Sequence, residues 1–235
     1  MRLALIGYGA MGKLVENLAS TAGDEIGLKV DSSGASLDAA ELAASLRGHD
    51  VAIDFSVGPA VLRNIEACAR AGVPLVEGAT GWQEKLADAR RLVAEYEGAL
   101  VYGANFSIGV NVFYRIVSEA GRLMASLDQY QAFMEEEHHA RKRDAPSGTA
   151  LKLKDLMSEH IKTEIPIASV RAGHIPGTHR VGFDSAADQI MLTHTARSRE
   201  GFAAGALLAA RWIIGRQGVY EFSDVMDKVM RMSNE

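Results

Sequence analysis

The sequence predicts an α/β protein: a doubly wound, Rossmann-type parallel sheet domain plus a smaller α+β domain with an open mixed sheet. Over roughly the first 100 residues, short apolar runs alternate strictly with helical patterns, which is typical of right-handed crossovers between parallel strands. A glycine-rich turn follows the first of these runs. After Asn105 the alternation ends, and a long helix and several consecutive strand-like runs follow.

In the first part of the chain, each predicted strand is a short apolar run, as expected for strands that are buried on both faces. The strands are predicted at 3–6, 26–30, 51–53, 73–76 and 99–102. The helices are predicted at 11–22, 37–46, 59–71 and 83–97. We assign residues 1–104 to the parallel-sheet domain.

The second part begins with a helix at 108–127, whose apolar side repeats with helical spacing. Strands are predicted at 129–138, 167–171, 178–183 and 189–195, and helices at 147–160, 202–214 and 222–230. We assign 105–212 to the second domain and expect 213–235 to return to the first.

Composition and charge exclude several classes of protein. The 235 residues are 48% hydrophobic and 23% charged, as in soluble globular proteins. The net charge of -5 provides no basic field for nucleic acid. The one cysteine, Cys68, is predicted to be a buried helix residue and suits a reducing compartment. No apolar run is long enough to span a membrane, and the first one stops at Gly7. We therefore expect a cytoplasmic protein without a membrane or nucleic-acid partner.

A glycine motif joins the first strand to the first helix. Gly7-Tyr8-Gly9-Ala10-Met11-Gly12 has the G-x-G-x-x-G spacing, which permits a tight turn, close backbone approach to a pyrophosphate and close packing of helix on strand. The helix N-terminus then faces the phosphate charge. Asp31 follows the second strand and is placed to accept hydrogen bonds from ribose hydroxyls. The pattern indicates a nicotinamide dinucleotide, and a turn that needs glycine only for packing is the alternative.

The choice between NADH and NADPH stays open at this point. Asp31 disfavours a 2′-phosphate, whereas Ser32, Ser33 and Lys13 can accommodate one. Two later loops, 77–81 and 102–107, follow predicted strands at the edge where such sheets bind ligands. Small residues there let the backbone approach a nicotinamide, and Asn105 can orient its carboxamide. An ordinary turn explains each loop equally well.

The stretch 136–150 carries the densest chemistry and lies between a strand end and a helix start. It reads E-E-H-H-A-R-K-R-D-A-P-S-G-T-A. Ser147 is a natural N-cap, so the N–H groups of Gly148 and Thr149 point out of a helix N-terminus, which favours an anion. Lys142 adds a positive charge, and a histidine that titrates near neutral pH can move a proton.

The same stretch permits other interpretations. Glutamates and histidines can suggest a metal, but adjacent histidines on a strand point to opposite faces, and the sequence has neither an H-E-x-x-H motif nor a cysteine pair. We therefore expect no metal. The run Arg141-Lys142-Arg143 can also be a solvated basic turn.

The motif E-x-H-H-x-x-K-x-D-x-P-S-G-T-A resembles the signature of the 4-hydroxy-tetrahydrodipicolinate reductases, or dihydrodipicolinate reductases, of bacterial diaminopimelate and lysine biosynthesis. The resemblance covers nearly the whole chain. Other segments that resemble the family, in its order, are Asp54-Phe55-Ser56, Gly78-Ala79-Thr80-Gly81, 105–111, Arg171-Ala172-Gly173, Ile175-Pro176-Gly177 with His179, His194-Thr195-Ala196 and Ser198-Arg199.

This resemblance implies reduction of a cyclic, unsaturated dicarboxylate by NADH or NADPH, and a homotetramer built by the mixed-sheet domain. It implies His138 as proton donor and acceptor, Lys142 as its catalytic partner, and His139, Gly148 and Thr149 as substrate contacts. The implied dinucleotide contacts are Gly7, Tyr8, Gly9, Ala10, Met11, Asp31, Gly78, Ala79, Thr80, Gly103, Ala104, Asn105 and Phe106.

Three positions depart from the family's usual pattern and bear on cofactor preference. Ala10 stands where arginine is frequent, Ala79 where the loop usually reads G-T-T-G, and Ser32 where some members carry a basic residue. Two rival functions also stay open. One is another two-domain NAD(P)-dependent amino-acid dehydrogenase, and the other is a non-catalytic dinucleotide sensor, which would need no proton-transfer residues.

Overall fold

The computed structural model describes residues 1–31 and 36–232, apart from the side chain of Met232, so Ser32 and Ser33 lie outside the described residues. The chain divides into two compact units, Met1–Ile108 with Arg199–Glu235, and Gly109–Ser198. Within the described residues, every helix is too short or too polar to cross a membrane.

The described residues form ten strands and eight α-helices. The strands are β1 (Arg2–Ile6), β2 (Glu25–Val30), β3 (Val51–Asp54), β4 (Leu75–Glu77), β5 (Ala99–Tyr102), β6 (Gln131–His138), β7 (Ile167–Arg171), β8 (Thr178–Asp184), β9 (Gln189–Thr195) and β10 (Gly218–Glu221). The helices are α1 (Ala10–Thr21), α2 (Ala39–Leu46), α3 (Val61–Ala71), α4 (Leu86–Glu95), α5 (Ile108–Met124), α6 (Gly148–Ser158), α7 (Glu200–Ile213) and α8 (Phe222–Met232).

The first unit contains a six-stranded sheet in the order β10-β5-β4-β3-β1-β2, and every strand pair in it is parallel. Apolar residues of α2, α3 and α4 pack on one face, together with alternate strand residues such as Ala52 and Leu75. Cys68 lies in this core and is buried, as predicted. Helix α7 covers β3, β4 and β5 and also packs on α1. The predicted doubly wound parallel sheet is confirmed.

Two features of the first unit differ from the sequence prediction. Strand β10 was not predicted, because it is short, only half-buried and pairs along one side only, with β5. Helix α7 lies in the first unit, whereas the sequence prediction placed it in the second. Small residues explain its position: a Cβ at Gly205 would overlap the carbonyl oxygen of Phe106, so the helix lies directly on that loop.

The second unit is built on a four-stranded sheet in the order β7-β6-β8-β9. Strands β6 and β7 are parallel, and the other two pairs are antiparallel, which confirms the predicted mixed sheet. The buried face packs against α5 and α6 through residues such as Phe113 and Leu153. Strand β6 alternates, and its last two buried-face residues are Glu136 and His138 rather than apolar residues. This polar end of a buried face positions the candidate active site.

We predict that Gly205→Ala lowers the free energy of unfolding of the first unit by about 1–3 kcal/mol, because the added methyl overpacks against the Phe106 carbonyl. Gly201→Ala in the same helix is the control. Its Cβ would lie 3.7 Å from Ser107 Oγ, an ordinary contact, so helix propensity adds up to about 1 kcal/mol of stability. Denaturant unfolding measures both, and equal stability of the two variants would contradict the packing of α7.

Candidate active site

The glycine motif forms the turn between β1 and α1 at the carboxyl edge of the parallel sheet. Gly7 has φ +79, and a Cβ there would overlap the backbone of Phe55 and Ser56, so only glycine fits. Gly9 is the N-cap of α1, and no side chain of the described residues caps it. The N–H groups of the first helical turn are therefore available to bind an anion at this edge.

The other predicted dinucleotide contacts lie on loops at the same edge. Asp31 is exposed directly after β2. The loop after β4 contacts the loop after β3, because a Cβ at Gly58 would lie 2.8 Å from the carbonyl oxygen of Thr80, and a Cβ at Gly78 would overlap the Phe55 ring. The structure thus brings these segments together, as a dinucleotide site requires.

In the loop after β5, packing and hydrogen bonding limit which groups of Asn105 and Phe106 can contact a ligand. The Phe106 side chain is only 2% exposed and packs against Phe55 and Phe222, with ring centroids 6.3 and 4.6 Å away. Only its backbone can therefore contact a ligand. Asn105 Oδ1 accepts a hydrogen bond from the Ser107 N–H at 2.9 Å, so this carboxamide oxygen stabilises the turn itself.

Glu136 is the centre of the polar cluster in the second unit. Its carboxylate has no solvent exposure; Oε1 lies 2.5 Å from Arg171 Nη2, and Oε2 lies 2.6 Å from His138 Nδ1. The contact with His138 is close but is not an aligned hydrogen bond. The Ser147 N–H also donates to Oε1, at 3.3 Å. One buried carboxylate therefore holds β6, the end of β7 and the start of α6.

The start of α6 is fixed by its N-cap, as the sequence predicts. Ser147 is buried, and its Oγ accepts a hydrogen bond from the Ala150 N–H at 3.2 Å and lies 3.1 Å from His179 Nε2. His179 lies opposite Glu136 on β8, and its ring is edge-on to His138 with centroids 5.1 Å apart. The helix N-terminus and the two imidazoles are thus parts of one network.

Lys142 and the N-terminus of α6 both bind the carboxylate of Asp144. Lys142 Nζ lies 2.8 Å from Asp144 Oδ1, and the Gly148 N–H also donates to this carboxylate. The Lys142 bond, which is the largest cause, and the Gly148 bond lower the pKa of Asp144. The Thr149 hydroxyl is hydrogen-bonded to Tyr114 of α5, and His139 is half-buried just after β6.

Burial and charge separate the protonation states of this cluster. Burial acts to raise the pKa of Glu136, but hydrogen bonds from Arg171, Ser169 and Ser147 outweigh it and lower the pKa to about 2. Burial lowers the pKa of His138, Glu136 opposes that shift, and Lys142 and Arg171 add to it. Burial, with help from His138, lowers the pKa of His179 to about 4. At neutral pH the cluster contains an ionised Glu136 between two neutral histidines.

The neutral imidazole of His138 has one edge that faces Glu136 and one that faces Gly177. With the carboxylate at Nδ1, the proton belongs on Nδ1, and Nε2 is the nitrogen that can take up and release a second proton. A Cβ at Gly177 would lie only 3.1 Å from Nε2, so the absence of a side chain at this glycine leaves room beside that nitrogen. Gly177 also has φ +146, a conformation that favours glycine. The arrangement is suited to proton transfer.

Glu136, His138 and His179 also have the composition of a metal site, since one ligand atom of each lies within 4.8 Å of the others. The predicted absence of a metal follows from the divergence of adjacent histidines and from the lack of an H-E-x-x-H motif or a cysteine pair, and neither observation covers a histidine on another strand. Arg171 already occupies Oε1 of Glu136, and Lys142 adds a second positive charge to the cluster. Both charges oppose a further cation here.

The sequence indicated roles for His138 and Lys142 but none for Glu136, Arg171 or Asp144. A signal for Glu136 was present, because residues two apart on a strand share a face, so a half-buried β6 places Glu136 with His138. Nothing in the local sequence indicates that Arg171 reaches the same carboxylate, since that contact depends on the pairing of β6 with β7.

Comparisons with known proteins agree with this fold. Two family models match, "Dihydrodipicolinate reductase, N-terminus" over residues 1–106 and "Dihydrodipicolinate reductase, C-terminus" over residues 109–226. The 4-hydroxy-tetrahydrodipicolinate reductase of Christiangramia forsetii is 37% identical over 243 residues, which cover 98% of this chain and 100% of that protein. The enzyme of the same name from Haloarcula marismortui is 41% identical over 206 residues, 80% of this chain and 81% of that protein.

Among solved structures, a dipicolinate-bound dihydrodipicolinate reductase from Paenisporosarcina sp. TG-14 has the same fold. It is 21% identical, with a TM-score of 0.74, and the match covers 96% of this chain and 99% of that chain.

We predict that the second unit loses stability in acid through Glu136. The folded-state pKa of Glu136, about 2, lies below its ordinary value of 4.5. The ionised carboxylate therefore stabilises the fold above about pH 4.5, and this stabilisation, at most about 3 kcal/mol, is lost as the pH falls toward 2. Denaturant unfolding at about pH 5 and about pH 3 measures the loss. Glu136→Gln is expected to reduce it, whereas Glu137→Gln, on the other face of β6, is expected to retain it. Equal losses in both variants would contradict this role.

Proposed function

The chain belongs to the dihydrodipicolinate reductase family, and from that membership we propose that it reduces 4-hydroxy-tetrahydrodipicolinate to tetrahydrodipicolinate with NADH or NADPH. It is an oxidoreductase of the diaminopimelate and lysine pathway. The first unit binds the dinucleotide, and the second unit binds the substrate and forms the oligomer. A location in the cytoplasm is supported by the single buried cysteine, which suits a reducing compartment.

The observation that carries this proposal is the position of the Asp144 carboxylate. It is bound by the Lys142 ammonium and by the Gly148 N–H at the start of α6, the groups expected to bind a substrate carboxylate. This position is therefore chemically suited to a carboxylate. Because the Asp144 side chain is 54% exposed, a carboxylate of the substrate can replace it without burying it elsewhere. The remaining proposed substrate contacts are Thr149, which follows Gly148 in α6, and His139, whose carbonyl oxygen accepts a hydrogen bond from the Lys142 N–H.

The carboxyl edge of the parallel sheet fits a dinucleotide. Gly9 leaves the backbone open beside the uncapped N-terminus of α1, where a pyrophosphate would bind, and the exposed Asp31 would accept hydrogen bonds from the ribose. Loop residues 78–80 and 103–106 would contact the nicotinamide side. When bound, the reduced nicotinamide supplies the hydride.

His138 supplies the proton that accompanies reduction. Glu136 holds a negative charge 2.6 Å from Nδ1, so it stabilises the imidazolium that forms when Nε2 takes up a proton. The site then gives that proton to the substrate, and Lys142 stabilises the negative charge that develops there. Glu136 acts through His138 and Arg171 and is a positioning residue in this scheme.

The direct test is oxidation of NADH and NADPH, in parallel, with the product of a coupled dihydrodipicolinate synthase reaction as substrate. Oxidation that depends on that substrate is expected, and the ratio of the two rates gives the cofactor preference. Binding of a dinucleotide without oxidation would favour one of the rivals, an amino-acid dehydrogenase or a dinucleotide sensor.

We predict that His138→Ala lowers kcat by about 10²–10⁴-fold, the usual contribution of a general acid, with little change in the Kd for NADH. Lys142→Met is expected to lower kcat and raise KM, because it removes both a charge and a carboxylate partner. The control is His174→Ala, since His174 is an exposed histidine. Wild-type turnover by the His138 variant would contradict its assignment.

The open face of the mixed sheet supports a homo-oligomer, which we propose to be a tetramer. The face that α5 and α6 do not cover presents apolar residues, with Val170 47% and Met191 38% exposed. An ion pair between Arg180 and Glu137 lies on the same face. A sheet face with exposed apolar side chains and an ion pair is suited to a second copy of the same sheet.

We predict that the protein sediments as an assembly larger than the 25.2 kDa of one chain, and that Met191→Glu reduces that mass, because a charge placed in an apolar interface must be desolvated. Leu123→Glu is the control: Leu123 is 57% exposed on α5, on the other side of the sheet. A monomeric wild-type protein, or an equal effect of both variants, would contradict the proposed interface.

A further inference from the structure

Two carboxyl groups are buried side by side in the first unit, and hydride transfer assigns neither of them a role. Asp54 ends β3 and Glu77 ends β4; they are partners in the strand register, and both have no solvent exposure. Their side chains share the face of the sheet that α3 covers, and they lie within hydrogen-bonding reach of each other. An isolated pair of buried carboxylates would be very costly.

The hydrogen bonds show which of the two acids is ionised. Both oxygens of Asp54 accept hydrogen bonds at 2.6 Å, one from the Ser56 N–H and one from Asn64 Nδ2. Glu77 accepts one, from the Ala79 N–H to Oε1 at 2.7 Å, and its Oε2 is buried without a donor among the described residues. A proton on Glu77 Oε2, directed at Asp54, satisfies that oxygen and leaves Asp54 as the charged partner.

Among the described residues, the neighbours that face the pair on α3 and β5 are neutral. On α3 these are Asn64 and Cys68, and Arg63 donates to Asn64 Oδ1, at 3.0 and 2.8 Å. On β5 the register neighbour of Glu77 is Tyr102, whose ring packs on Trp82. Burial, and then the charge of Asp54, raise the pKa of Glu77 well above its ordinary value.

We propose that Asp54 and Glu77 share one proton, and that this shared proton holds the loops after β3 and β4 in the geometry that binds the dinucleotide. Each carboxyl accepts an N–H of its own loop, from Ser56 or Ala79, and the loops themselves are in contact at Gly58 and Thr80. Release of the proton to solvent leaves two carboxylates that repel each other, which separates the loops. Dinucleotide binding is therefore linked to the protonation of this pair. This inference rests on the proposed role of residues 78–80 in dinucleotide binding.

The test is the Kd for NADH, measured by nicotinamide fluorescence from about pH 6 to about pH 10. The wild-type Kd is expected to rise by up to about tenfold per pH unit once the pair loses its proton, since one proton is linked to binding. Glu77→Gln keeps a neutral donor in place and is expected to bind with a Kd that does not respond to pH. Glu84→Gln, an exposed acid in the following loop, is expected to keep the wild-type profile.

Infrared spectroscopy of the wild-type protein provides a second readout that does not depend on the variant folding. At about pH 8, where exposed acids are ionised, the carbonyl stretch of a protonated carboxyl group is expected, and its absence would overturn the shared proton. A pH-dependent Kd that persists unchanged in Glu77→Gln, or a wild-type Kd that is flat over the whole range, would overturn the linkage. If NADH and NADPH do not bind at any pH, the cofactor assignment fails, while the infrared band still tests the pair itself.

Discussion

Taking the Glu136 carboxylate out of water is costly unless fixed donors replace its lost hydration. The second unit provides them from separate parts of the chain: Arg171 at the end of β7 and the Ser147 N–H at the start of α6. His138, two residues along β6, places its Nδ1 against the other oxygen. Since all three must reach one buried carboxylate, the strand ends, the helix N-terminus and the imidazole are positioned together. The candidate active site is therefore organised by a charge.

The first unit also buries an acid, Glu77, but it avoids the cost of a buried charge in a different way. Glu136 has a guanidinium 2.5 Å away and stays ionised, whereas Glu77 faces another acid and keeps its proton. The difference follows from the neighbours, because an opposite charge favours the ionised form and a like charge disfavours it. A buried acid near a ligand edge can thus be either a fixed charge or a proton-dependent one, and only the second kind makes binding respond to pH.

The sequence predicted those features that depend on local chemistry. Apolar runs and crossovers predict the parallel sheet, the glycine spacing predicts the β1–α1 turn, and Ser147 after a proline predicts the start of α6. The features it did not predict depend on contacts between distant segments. Strand β10 forms through its pairing with β5, and the position of α7 depends on the fit of Gly205 over Phe106. The role of Glu136 depends on Arg171, an arginine 35 residues away. The resemblance to a family supplied roles for His138 and Lys142, but not the carboxylate that holds His138.

In the proposed function, binding of a substrate carboxylate at Lys142 would be an exchange, because Asp144 already occupies that position. Lys142 gains a Coulomb attraction to the substrate carboxylate but loses its attraction to Asp144. The second change largely offsets the first. A monocarboxylate therefore gains little from this site. Tight binding of a substrate then depends on its contacts with groups other than Lys142 and Gly148.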